Sequence, residues 1–371
     1  MPPESPPPEP PPPDPLPFDP LLDGAKGTFE DLLEFHAPDV ERMQDDSIPL
    51  RERLAAYEDI TESEVGDTNL VRARNIEREM GFRQLFLKFE GGNPSGTQKD
   101  RIAFAQAADA LRRGFGAVTM ATCGNYGVAT ALACSLAGIQ CYVFIPQRYH
   151  TRRVDEMERF GARIVRAGDD YEHAVVASRE AAEREEWYDA NPGGDNTTLQ
   201  LNAYGEIAYE IYDELRDAPA VVAVSVSNGT TLAGIHRGFV SLYRRGRTSR
   251  IPKMVAGSAF RMNPIVESFL RGKDRCEDLV PANIRETETN EPLVNWHSCD
   301  GDPALSSIRA TGGWASHVSD RAMKSLSRRL LDREGVSALP ASTAGLYALL
   351  EFQKRNPLPG DRYVAVLTGR R

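Results

Sequence analysis

From Leu85 onward the chain repeats one unit: a short apolar run of strand length, a turn, and an amphipathic stretch of helical length. Residues 117–121 read as a strand and 126–137 as a helix ending at Gly138; 141–145 is a second strand, closed by Pro146. A helix over 152–160, a strand over 163–166 and a helix over 171–183 follow. Later, 204–215 reads as helix, 221–226 as strand, 232–243 as helix and 363–367 as a buried final strand. Strands separated by helices call for parallel sheets covered on both faces. Such sheets bind ligands beyond the carboxyl ends of their strands, so the loops there carry the functional expectation.

Composition narrows the classes. A chain of 371 residues buries a large core and is expected to form two domains. A formal net charge of −10 argues against general affinity for nucleic acid or anionic membrane. No apolar run approaches the ~20 residues needed to span a bilayer, and the N-terminus does not read as a secretory signal. Cys123, Cys134, Cys141, Cys276 and Cys299 are odd in number and show no C-x-x-C spacing, which suits reduced thiols in a cytoplasm. The six histidines are scattered and predict no metal centre. Residues 2–20 are dominated by proline with interspersed acids, the composition of a disordered tail. Residues 29–35 and 50–57 read as short helices leading into a body that begins near Ser47.

Asn93-Pro94-Ser95-Gly96-Thr97-Gln98-Lys99-Asp100-Arg101 places one lysine between a glycine-containing turn and the apolar helical run 102–111. A lysine at a helix start, partly shielded from water, has its charged form disfavoured and its pKa lowered. Such an amine suits a Schiff base, although a surface lysine near a helix N-terminus has the same local sequence.

The longer stretch Lys88-Phe89-Glu90-Gly91-Gly92-Asn93-Pro94-Ser95-Gly96-Thr97-Gln98-Lys99-Asp100-Arg101 resembles the cofactor-lysine motif of threonine synthases and their fold-type II relatives, K-x-E-x-x-N-P-T-G-S-F-K-D-R. The resemblance runs from about Gly66 to Thr368. It implies two open, mostly parallel α/β domains and pyridoxal 5′-phosphate as cofactor, with Lys99 as its lysine and the catalytic base. It also implies a small amino-acid substrate and a homodimer. The domains expected are a tail and N-terminal arm over 1–46, a large cofactor domain from 47–101 with 205–371, and a small α/β domain over 102–204.

Three loops extend the resemblance. Ala121-Thr122-Cys123-Gly124-Asn125-Tyr126 is similar to the S/T-S-G-N loop, which implies Thr122, Cys123 and Gly124 in a carboxylate cradle and Asn125 at the cofactor's phenolic oxygen. Alone, it equally fits an ordinary strand–turn–helix. Ser227-Asn228-Gly229-Thr230-Thr231 resembles the phosphate loop G-N-G-G-N. Its hydroxyls, backbone N–H groups and helix start favour a dianion. Leu367-Thr368-Gly369 resembles the L-T-G segment whose threonine faces the pyridine nitrogen; a neutral hydroxyl there suits elimination and replacement better than transamination. Arg101, Arg152 and Arg153, with Arg148, are candidates for a second substrate anion, because guanidinium groups match phosphate oxygens; a solvated helix face is the other reading of Arg152 and Arg153.

Two positions depart from the family. After Gly369 the chain reads Arg370-Arg371 where threonine synthases continue with histidine and glycine, and Leu339-Pro340-Ala341-Ser342 replaces E-P-A-S. Both touch the expected substrate wall. The expectation is therefore a threonine synthase-like lyase acting on O-phosphohomoserine. A β-eliminating or β-replacing enzyme of the dehydratase or O-phosphoserine-dependent type stands beside it, and a non-catalytic binding protein on the same scaffold is the alternative of another class.

Overall fold

A computed structural model of the chain describes residues 29–122, 124–147 and 153–371. The expected proline-rich tail, Cys123, Arg148 and Arg152 lie outside the described residues. Ten strands are present among them: β1 Leu70–Arg72, β2 Gln84–Phe89, β3 Ala117–Ala121, β4 Gln140–Ile145, β5 Arg163–Arg166, β6 Tyr188–Asp189, β7 Val221–Ser225, β8 Lys253–Ala259, β9 Trp314–Val318 and β10 Arg362–Leu367. They form a six-stranded sheet in the order β1-β2-β10-β7-β8-β9 and a four-stranded sheet in the order β5-β4-β3-β6. Only β1 pairs antiparallel; every other ladder is parallel. On this partition of the strands we propose the domain division 47–101 with 205–371, and 102–204.

The burial of β10 shows why its sequence reads as one apolar run. Val364 and Val366 enter one hydrophobic core, while Tyr363, Ala365 and Leu367 enter a second. Both faces are covered, so polarity does not alternate. The four-stranded sheet is likewise packed on both faces, with Val118 and Met120 of β3 in one cluster and Ala121 in another. On the outside of that layer the helix Leu50–Glu64 buries Tyr57 against Phe104, ring centroids 6.0 Å apart.

Alternation does not reveal β1, β6, β8 or β9. The first and second of these are too short to show a period. β8 carries Ala256, Gly257 and Ser258, small residues that dilute its apolar signal although the strand is central and buried. β9 is an edge strand and only partly buried. Among the helices, the one expected over 204–215 begins earlier, as Thr197–Leu215, and the one expected over 232–243 is Thr230–Arg244. That second extension places Thr230 and Thr231 inside the first helical turn.

The carboxyl ends of β3, β7 and β10 and the turn and helix start after β2 converge on one cavity of about 150 Å³. Its back wall is tied to the large sheet through Ser225. The Ser225 hydroxyl donates to the Ser342 carbonyl at 2.9 Å and accepts from the Gly345 N–H at 3.0 Å.

Candidate active site

Lys99 is the first residue of the helix Lys99–Arg112 and lines the cavity. β2 and a short turn, Glu90–Gly92, lead to it. The turn continuing through Ser95 is held by the buried Asp100 carboxylate, which accepts from the Ser95 N–H and hydroxyl, each at 2.9 Å. Lys99 Nζ stands 5.3 Å from the ring centroid of Tyr126, which is itself fixed by a 2.7 Å bond from its hydroxyl to the Ala190 carbonyl. Burial brings the Lys99 pKa down to about 8, against an opposing pull from the Asp300 carboxylate. The amine is thus closer to its neutral, nucleophilic form at physiological pH than a solvated lysine.

Arg101 does not line the cavity. Two residues further round the helix, its guanidinium makes a two-pronged contact with Glu90 at 2.6 and 2.9 Å and another with Glu210 at 2.7 and 2.8 Å. Lys88 Nζ donates to Glu210 and to the Thr68 carbonyl. Helical periodicity explains the separation, because positions i and i+2 do not share a face. Arg101 is an anchor under the lysine helix, not a group presented to a ligand.

The loop after β3 brings Thr122, Gly124 and Asn125 to the opposite wall. The Gly124 N–H donates to Thr122 Oγ1 at 3.1 Å, and Asn125 opens the helix Asn125–Leu136. Arg153 donates to Asn125 Oδ1 at 2.8 Å and pairs with Glu156 at 2.6 Å. Of Arg101 and Arg153, the sequence-expected arginines among the described residues, Arg153 is the one brought to this loop. Its contact orients the Asn125 amide with Nδ2 as the remaining donor.

Ser227, Asn228, Gly229, Thr230 and Thr231 form the third wall, at the start of the helix Thr230–Arg244. Gly229 has φ +95°, and a Cβ there would meet the Asp300 carbonyl at 2.7 Å, so only glycine fits. Asn228 Oδ1 accepts from Asn295 Nδ2 and from the Cys299 N–H, both at 3.3 Å, and Asn228 Nδ2 reaches the Tyr171 hydroxyl at 3.3 Å. The Ser227 carbonyl accepts from Asn263 Nδ2 at 3.0 Å. Sequence reasoning passes over Asn263 and Asp300, which belong to segments with no local motif, while Asn295 lies in the stretch from Ile284 to Trp296 that resembles the family's I-R-x-G-N-P…W segment.

Thr368 closes the cavity at the end of β10, and its carbonyl accepts from the Gln98 N–H at 3.0 Å. Ser342 and Leu339 line the same end. The Ser342 hydroxyl is buried without a partner among the described residues. A buried polar atom left unpaired is costly, so this hydroxyl is a candidate contact for a ligand in the cavity. Two carboxylates, Glu286 and Glu291, also line the cavity.

Known proteins share both the sequence pattern and the architecture. The pattern of the family described as "Pyridoxal-phosphate dependent enzyme" matches residues 61–369. The threonine synthase of Methanocaldococcus jannaschii is 28% identical over 307 residues, covering 82% of this chain and 74% of that protein. The threonine synthase of Methanosarcina acetivorans is 27% identical over 305 residues, covering 82% and 74%. Among solved structures, maize serine racemase superposes with a TM-score of 0.69 at 19% identity, covering 86% of this chain and 93% of that one. The processed form of threonine deaminase isoform 2 from Solanum lycopersicum gives a TM-score of 0.69 at 15% identity, covering 94% and 91%. These structural likenesses are of fold.

Proposed function

The chain belongs to the pyridoxal-phosphate dependent enzyme family, and from that premise we propose that it eliminates or replaces a β- or γ-substituent of an amino acid in the manner of a threonine synthase. Pyridoxal phosphate is the cofactor of the family. The cavity fits it on this chain's own features: the unpartnered Ser342 hydroxyl, the glycine-only bend at Gly229 and the buried amine of Lys99. Lys99 would hold the cofactor covalently. Ser227, Asn228, Gly229, Thr230 and Thr231 would hold its phosphate, Asn125 its phenolic oxygen and Thr368 its ring nitrogen. When bound, the cofactor supplies a sink for the electron pair left at the substrate Cα.

The residues divide the remaining work. The Thr122 hydroxyl and the Asn125 N–H receive the substrate carboxylate at a helix start, beside Gly124, whose N–H is given to Thr122 Oγ1. Arg153 keeps the Asn125 amide in one orientation. With the cofactor and substrate bound, Lys99 Nζ would be the base placed to accept the Cα proton, and the burial that lowers the free amine to about 8 suits that task. The Tyr126 ring beneath it stabilises the ammonium so formed.

The observation that carries elimination or replacement is the pair of neutral hydroxyls, Thr368 and Ser342, at the β10 end of the cavity. In the threonine synthase reading, O-phosphohomoserine and water give threonine and phosphate. Leu339 favours a second reading within the same chemistry, loss or replacement of a substituent at Cβ, because it makes the wall apolar where the resemblance implies glutamate.

Phosphate release from O-phosphohomoserine and from O-phosphoserine, measured beside keto-acid formation from serine and threonine, separates the two. Activity with O-phosphohomoserine alone supports the first; activity only with the three-carbon or hydroxy substrates supports the second. A protein that takes up no pyridoxal phosphate would overturn both and favour a non-catalytic scaffold. We further propose a homodimer, to be checked by sedimentation. No described helix is long and apolar enough to cross a membrane.

A further inference from the structure

Thr230 stands where the phosphate loop that this segment resembles has glycine, and its hydroxyl is already taken. Thr230 Oγ1 donates to Asp300 Oδ2. Asp300 is only 3% exposed, its N–H donates to the Asn228 carbonyl at 3.0 Å, and its own carbonyl packs against Gly229. One acidic residue is thus wrapped around three consecutive positions of the loop. It does not itself line the cavity but lies directly behind it.

We propose that Asp300 is a positioning residue built into the phosphate loop: it shapes the loop through Thr230, Asn228 and Gly229, and it gives up its charge when a dianion enters. The reading rests on the proposal that residues 227–231 hold the cofactor phosphate. A buried carboxylate and a phosphate dianion on two sides of the same loop repel each other in a medium that screens poorly. The groups facing Asp300 are the Thr230 hydroxyl, Lys99, the Arg179 guanidinium and the Cys299 thiol. Arg179 donates to the Pro192 carbonyl at 2.5 Å and lies 3.6 Å from Asp189, while its Nε is buried without a hydrogen-bond partner among the described residues, so its charge is shared between Asp189 and Asp300. Burial raises the Asp300 carboxyl from its ordinary value, against opposing pulls from the Thr230 hydroxyl, Lys99 and Arg179. Protonation therefore removes the conflict most directly, and the proton comes from solvent.

The sign follows from linkage. A proton taken up with the phosphate makes the phosphate's contribution to binding weaken as pH rises, by up to tenfold per pH unit on the titrating limb. The test compares equilibrium uptake of pyridoxal phosphate with that of pyridoxal, which lacks the phosphate, between pH 6 and 9. Their affinity ratio isolates the phosphate from the Lys99 chemistry common to both.

In the wild type the ratio is expected to fall with pH; in D300N it is expected to be larger and flat. An unchanged ratio and slope in D300N would overturn the proposal. The cofactor-free protein supplies an independent arm: thermal midpoints of T230V, D300N and the double variant are expected to be non-additive. Additive midpoints would overturn the role of Asp300 even if no cofactor were bound, whereas absence of cofactor uptake with non-additive midpoints would count against the phosphate assignment alone. Should D300N fail to fold, T230V carries the ratio measurement, with an altered slope expected and an unaltered one overturning the idea.

Discussion

Lys99 and Arg101, two positions apart on one helix, face opposite environments: the amine lines the cavity, and the guanidinium is clamped between Glu90 and Glu210 in the interior. One helical turn therefore carries both the reactive group and the device that fixes its height above the sheet. The two residues should fail in different ways when changed.

Removing the amine should abolish the covalent link and leave the fold. Lys99→Ala is expected to lose the visible absorption band and the borohydride-trapped cofactor peptide, with far-UV circular dichroism unchanged. A trapped adduct at another lysine would refute Lys99 as the link.

Removing the guanidinium should do the reverse. Arg101→Met leaves Glu90 and Glu210 facing each other in a buried site, a change that typically costs about 3–5 kcal/mol. Denaturant unfolding should show this loss, while any residual folded enzyme keeps its KM. A raised KM with full stability would restore Arg101 to the substrate site.

Cofactor capture should depend on pH through Lys99. Only the neutral amine attacks, so the capture rate is expected to rise with pH and level off above about 8. The Asp300 carboxylate holds the Lys99 pKa up, so removing that charge in D300N should move the midpoint to lower pH. Stopped-flow absorbance across pH 6–9 reads both midpoints.

Gly229→Ala should damage the cradle locally. The positive φ strains any side chain, by roughly 1–3 kcal/mol, and the added methyl meets the Asp300 carbonyl. Pyridoxal phosphate affinity is expected to fall by at least about tenfold, which corresponds to ~1.4 kcal/mol, with a smaller effect on pyridoxal. Equal losses for both ligands would show that the loop does not hold the phosphate.

Breaking the Arg153 contact should act on the cofactor, through the Asn125 amide proposed for its phenolic oxygen. Arg153→Met frees the Asn125 amide to rotate, and a hydrogen bond to a charged group contributes about 1.5–3 kcal/mol. Pyridoxal phosphate affinity is expected to drop by roughly tenfold or more, with a shift in the absorption spectrum of the loaded enzyme. An unchanged spectrum and affinity would show that the Asn125 amide does not meet the cofactor.

The period of apolar runs was enough to announce the parallel sheets, because a strand covered on both faces, such as β10, must be apolar throughout. The turns at the strand ends were equally visible, since Gly124, Gly229 and the Asn93–Lys99 segment are local patterns. Strands of two or three residues and the small-residue strand β8 escaped, because their structure depends on neighbours contributed from elsewhere in the chain.

Charge partnership lay beyond the sequence altogether. Nothing local to Arg101 says that Glu210, more than a hundred positions away, completes its cage, and nothing local to Thr230 points to Asp300. A lysine's position along a helix can be read from its neighbours, but its pKa depends on what the fold buries beside it. The side chains alone supplied the chemistry on offer at each loop; only packing assigned which of them meet the cavity and which stay behind its walls.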